Sequence, residues 1–136
     1  MNDLDGIKVL IVDDDRFMRT TIKAALRAVA RFVVSEADDG DTALIKAEQL
    51  KPDVVLCDIT MPRVGGLRFI ELLHAHHDRR TRELPVIIVT GHAERETVIA
   101  ASKARIAGYL IKPISPKQLN DQLRVVLASR QLEPMV

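Results

Sequence analysis

Cysteine occurs once in these 136 residues, tryptophan not at all, tyrosine once and phenylalanine three times. The single thiol, Cys57, excludes an internal disulfide framework and fits a reducing compartment. It stands inside the apolar run DVVLCD, so it reads as a buried small hydrophobe and not as a reactive nucleophile. So few aromatics leave no platform for base stacking. The 20 Lys and Arg nearly balance 19 Asp and Glu and are scattered, not gathered into a basic stripe. Nucleic-acid binding is therefore not expected. No apolar stretch approaches the ~20 residues that span a bilayer, and the acidic, polar start MNDLDGIK is unlike a secretion signal. With 47% hydrophobic and 29% charged residues, the composition is that of a soluble globular chain. The expectation is one cytoplasmic domain with a real core and no membrane partner.

What is present is an alternation of apolar runs and amphipathic stretches. IKVLIV (7–12) reads as a strand too apolar to have a wet face. A helix follows, with Phe17, Met18, Thr21, Ile22, Ala25, Leu26 and Val29 on one stripe. RFVVSEA (31–37) predicts a second strand, and DDGD a turn and cap for a helix near 41–50 that KP ends. DVVLCD (53–58) predicts a third strand, followed by a helix carrying Leu67, Ile70 and Leu73. PVIIVT (85–90) predicts a fourth, followed by a helix near 93–105. AGYLIKP (107–113) holds the fifth, and SPKQ (115–118) is a capping box opening a last helix. Five such units predict an α/β fold, a parallel sheet covered by helices on both faces.

The polar residues at the strand ends carry the chemistry. The first strand runs into three consecutive acids, Asp13, Asp14 and Asp15. Two readings are open there: a solvated turn whose last acid caps the helix, or a site for a hard cation that prefers oxygen ligands. The other strand ends offer Asp58, Thr90 and Lys112. In open parallel sheets ligands sit outside the carboxyl ends of the strands, where strand order reverses. Two acids, a lone acid, a hydroxyl and an amine delivered to one edge are an improbable coincidence. Together they suit phosphoryl transfer: Asp58 as a nucleophile toward phosphorus, and Mg²⁺ on the acids, Lys112 and Thr90 facing the phosphoryl oxygens.

The stretches VLIVDDD, DVVLCDITMP, PVIIVTG and GYLIKPIS, in this order and spacing, resemble the receiver domain of two-component response regulators, including the single-domain chemotaxis regulators. The resemblance implies a doubly wound, flavodoxin-like (βα)5 sheet of order 2-1-3-4-5. It would make residues 1–136 one receiver domain with a core of about 7–129. It makes Asp58 the acceptor of phosphate from a histidine kinase or phosphotransfer protein. Asp14 would bind Mg²⁺ directly, Asp13 mainly through water, and Asp58 and the Thr60 carbonyl would complete the protein ligands. Thr90 and Lys112 would contact the phosphoryl group, and Tyr109 would be the switch aromatic that turns inward with Thr90. Thr60 and His92 would flank the path of the hydrolytic water. A downstream protein would dock on the face made by the helix near 93–105, the fifth strand and the last helix. Beyond its own phosphorylation and dephosphorylation, no enzymatic activity is implied. Gly65, Gly91 and Ile114 depart from the family's usual acid, Ala and Phe.

Other readings are weaker. A haloacid-dehalogenase-type phosphohydrolase would use Asp13 and Asp15 as D-x-D, but needs a further acid pair at a strand end after Lys112, where only Asp121 and Glu133 follow. A receiver acting only as phosphate sink or docking module keeps the same residues without the output. A dinucleotide binder needs glycines that DDDRF lacks. His74 and His77 of HAHH would share a helix face but have no cysteine or acid cluster beside them, and read as a polar helix end. Asp15 reads as a helix cap.

Overall fold

A computed structural model of the chain describes residues 2–59, 61, 65–91 and 105–131. All five expected strands form: β1 (Lys8–Val12), β2 (Val33–Ala37), β3 (Val54–Cys57), β4 (Val86–Thr90) and β5 (Gly108–Ile111). They build one sheet of order β2-β1-β3-β4-β5 in which every neighbouring pair is parallel. The helices are α1 (Arg16–Arg27), α2 (Gly40–Leu50), α3 (Gly66–His74), α4 (Arg79–Arg82) and α5 (Pro116–Gln131). Apart from Arg105, the helix expected near 93–105 lies outside the described residues.

Successive strand residues point to opposite faces of a sheet, and here both faces are packed. Leu10, Val12, Val55, Cys57, Val86 and Ile88 meet Ala43 and Ala47 of α2 and Phe69, Ile70 and Leu73 of α3. Val9, Ile11, Val54, Leu56, Ile87 and Val89 meet Ile22 and Leu26 of α1 and Leu119 and Leu123 of α5. That is why the central strands read as unbroken apolar runs. Each large side chain so buried contributes about 1.5–3 kcal/mol relative to exposure.

Helix starts follow their caps. The Asp15 carboxylate accepts from the Phe17 amide to open α1, and Asp39 accepts from the Thr42 amide at 2.7 Å to open α2. The Ser115 hydroxyl accepts from the Gln118 amide at 3.1 Å, as its capping box requires. Three local features differ from the sequence reading. Phe17 is 76% exposed, although Met18 in the same turn packs on the core and full burial along α1 starts at Ile22. Val29 lies past the end of α1 yet still packs on the core. The short α4 carries no apolar periodicity and was not expected. It is opened by Asp78, whose carboxylate accepts from the Thr81 amide at 3.1 Å and hydroxyl at 2.9 Å.

Because α3 ends at His74, His77 does not share its face. The His77 ring instead stacks on His76 at 4.4 Å. The His76 Nδ1 accepts from the Asp78 amide at 3.0 Å, and its Nε2 lies 3.4 Å from Glu48. HAHH thus forms the end of α3 and the turn that follows it.

Candidate functional site

Parallel register decides which side chains meet at the carboxyl edge. Val12 pairs with both Ala37 and Cys57, so the next residues, Asp13 and Asp58, emerge side by side. The Asp58 amide donates to the Val12 carbonyl at 2.9 Å and the Asp13 amide to Ala37 at 3.1 Å, extending the ladder to the acids themselves. On the other side Thr90 pairs with Ile111, and the Lys112 amide donates to the Thr90 carbonyl at 2.8 Å. Lys112, which precedes a cis peptide to Pro113, therefore leaves the sheet toward the same edge.

The side chains converge. The Lys112 Nζ lies 3.3 Å from Asp13 Oδ2 and 3.5 Å from Asp58 Oδ2. Asp13, Asp58 and Thr90 are buried, and Asp14 is exposed. Carboxylate oxygens of Asp13, Asp14 and Asp58 lie within 4.8 Å of one another, the one such cluster among the described residues. Burial pushes the Asp13 carboxyl above its ordinary range. The Asp15 amide, donating to Asp13 Oδ1 at 2.9 Å, and the Lys112 ammonium oppose that rise, while the Asp58 charge adds to it. Cys57 behind them is a buried free thiol that burial and the two neighbouring carboxylates hold protonated.

The donor set fits a hard divalent cation. It is all oxygen, and three carboxylates against one ammonium leave two negative charges at the edge. Such a cation commonly binds through a few carboxylates and keeps its remaining ligands as water. An exposed Asp14 beside buried Asp13 and Asp58 leaves the water side open.

The structure thus brings together Asp13, Asp14, Asp58 and Lys112, and sets Thr90 at the adjoining strand end. Tyr109 lies on edge strand β5 with 48% of its surface exposed. Thr60 and His92 lie outside the described residues. Sequence reasoning missed Gly66. A Cβ there would stand 2.4 Å from the Asp58 carbonyl oxygen and 2.6 Å from the Ile59 Cα, so only glycine lets α3 start against the Asp58 loop. The doublet Gly65–Gly66 was its only signal.

A family model described as the response regulator receiver domain matches residues 9–124. The chain is 36% identical over 120 residues to the chemotaxis protein CheY of Pseudomonas aeruginosa, covering 88% of this chain and 95% of that protein. It is 37% identical over 118 residues to CheY-3 of Vibrio cholerae, covering 87% and 89%. The solved structure of Vibrio cholerae CheY4 superposes with a TM-score of 0.80 at 28% identity, covering 89% of this chain and 98% of that one. This chain belongs to the response regulator receiver family of two-component signalling, among its CheY-like members.

Proposed function

We propose that Asp58 accepts a phosphoryl group from a sensor histidine kinase or a phosphotransfer protein, with Mg²⁺, and that the phosphorylated chain signals through a changed protein-binding surface. The observation that carries this reading is the placement of one ammonium, Lys112, between Asp13 and Asp58 at 3.3 and 3.5 Å, beside the three-carboxylate cluster. An Asp58 oxygen attacks phosphorus, the bond from phosphorus to the donor's imidazole nitrogen breaks, and that nitrogen keeps the electron pair. Phosphoryl transfer asks chiefly for positioning and for neutralised charge on the equatorial oxygens. Lys112 supplies a cation to one oxygen and the Thr90 hydroxyl a hydrogen bond to another. Mg²⁺, held by Asp13, Asp14, Asp58 and the Thr60 carbonyl, would neutralise charge on the third.

Movement of Thr90 toward the phosphoryl group leaves room for Tyr109 to turn inward from its exposed position on β5. That alters the surface formed by the segment after Thr90, β5 and α5, where a downstream protein would dock. Contacts made by Lys112 and Thr90 in only one state supply the bias such a switch requires. Thr60 and His92 tune how long the phosphoryl group lasts. The whole of 1–136 acts as one receiver with its core at 7–129. It works in the cytoplasm, with no catalysis beyond its own phosphorylation and dephosphorylation. Among the described residues no helix is long and apolar enough to cross a membrane.

Incubation with Mg²⁺ and acetyl phosphate, followed by mass spectrometry, tests the acceptor. Label on Asp58, abolished in Asp58→Asn and by chelating the metal, is expected. Label on Asp13 that survives Asp58→Asn would instead favour phosphohydrolase chemistry.

A further inference from the structure

The acids of the site are exposed to strong mutual repulsion, and their backbone is held from the β2 side by a residue that is not part of the cluster. Arg19, in the first turn of α1, reaches back over the β1–α1 loop. Its Nη1 donates to the main-chain carbonyl of Asp13 at 2.7 Å, and its Nε donates to Glu36 Oε1 at 3.1 Å. Glu36 is itself fixed. Lys23 donates to its second carboxylate oxygen at 3.0 Å, and Lys46 of α2 donates to its main-chain carbonyl. The Arg19 side chain is largely buried, and the Lys23 and Arg19 contacts hold the Glu36 carboxyl below its ordinary range.

We infer that Arg19, braced by Glu36, is a positioning residue for the metal-facing carboxylates. The carbonyl it grips belongs to the peptide that joins Asp13 to Asp14. A peptide is planar, so holding its oxygen together with its Asp13 end sets where the Asp14 amide and Cα lie, and so the point from which the Asp14 side chain starts. The Asp13 side of the same peptide is set by the ladder bond to Ala37. An arginine fork can hold a carbonyl and a carboxylate at once in a fixed geometry, which a lysine cannot do. Residues one step behind a metal's ligands commonly alter affinity by 10–100-fold.

This inference rests on the Mg²⁺ reading, and the sign of the effect separates it from bulk electrostatics. Arg19 is a cation beside an acid cluster. If it acted only through charge, removing it would tighten Mg²⁺ binding. As a positioning residue, its removal weakens binding.

The test is Mg²⁺ titration of the unphosphorylated full chain by calorimetry and by amide NMR shifts of Asp13 to Asp15, with thermal unfolding in parallel. Arg19→Met, and Arg19→Lys, which keeps the charge but not the fork, are both expected to weaken binding by about tenfold. Glu36→Gln, which keeps an acceptor, is expected to weaken it less. Glu36→Ala is expected to have no further effect once Arg19 is Met, since it acts through Arg19. If Arg19→Met fails to fold, Arg19→Lys carries the test. Variants that bind Mg²⁺ as tightly as wild type, or tighter, would overturn the positioning role. A wild-type chain that does not bind Mg²⁺ would instead overturn the metal reading beneath it.

Discussion

Asp13 is gripped at every polar atom: its amide by Ala37, its carbonyl by Arg19, and its two carboxylate oxygens by the Asp15 amide and Lys112. Burial nevertheless keeps its carboxyl above the ordinary value of 3.8, so the folded chain holds that proton more tightly than the unfolded one. Stability therefore falls as pH rises from the ordinary value to the raised one, and the full penalty stands above it. Asp13→Asn is expected to melt higher than wild type at pH 7 without metal, with the gap closing as pH falls below 3.8. Thermal unfolding across pH measures this, and a gap that does not vary with pH would contradict it. Mg²⁺ should stabilise wild type more than the variant, since a ligand of the folded state alone adds to its stability. Gly66 gives a second prediction at this scale. Its hypothetical Cβ meets only backbone, so Gly66→Ala must displace either α3 or the Asp58 loop. A loss of about 1–3 kcal/mol, the usual cost of overpacking, and slower acetyl phosphate labelling are expected, measured by denaturant unfolding and labelling rate. The acids were legible because an apolar run ends abruptly on them. Gly66 was not, because its constraint is the approach of α3 to the end of β3, which no local pattern announces.

At the scale of elements, caps and stripes account for what sequence could and could not foresee. Among the described residues, the strands and the four long helices announce themselves through apolar runs, alternation with caps, and Pro at the start of α5. Helix α4 spans four residues, barely more than one turn, and so has no period to detect. What makes it is Asp78. The Thr81 hydroxyl and amide, with Lys51 adding a smaller effect, hold the Asp78 carboxyl down at about 2. A depressed carboxyl stabilises the fold above its ordinary value of 3.8 and loses that contribution as pH falls through about 2. Asp78→Ala is expected to lower the melting temperature at neutral pH, with the difference shrinking as pH falls from 3.8 through about 2. A deficit that does not shrink over that range would show that the cap acts by some route other than its charge. The stripe on α1 misled at Phe17 for a geometric reason: successive helix residues lie about 100° apart, so with Met18 packed on the core Phe17 falls at the stripe's exposed edge.

For the molecule as a whole, the two-faced sheet converts strand register into a site. Residues separated by up to 99 positions, Asp13 and Lys112, touch only because β1, β3, β4 and β5 end at one edge in the order observed. Sequence reasoning reached that edge through the alternation of strands and helices, yet distances and the Arg19 contact required the fold. The proposed output depends on the same edge. Amide exchange with and without beryllofluoride is expected to change at Thr90 and Gly91 and along Gly108 to Ile111. Changes confined to the Asp58 loop and α1 would favour a phosphate sink. The most direct test of the central claim is a crystal structure of the chain with Mg²⁺ and beryllofluoride, the latter standing in for a phosphoryl group. The expected result is beryllium bonded to an Asp58 oxygen, Mg²⁺ ligated from the Asp13 and Asp14 side, and Lys112 and Thr90 in contact with fluorides. Beryllium bonded to Asp13, with Asp58 left uninvolved, would contradict it.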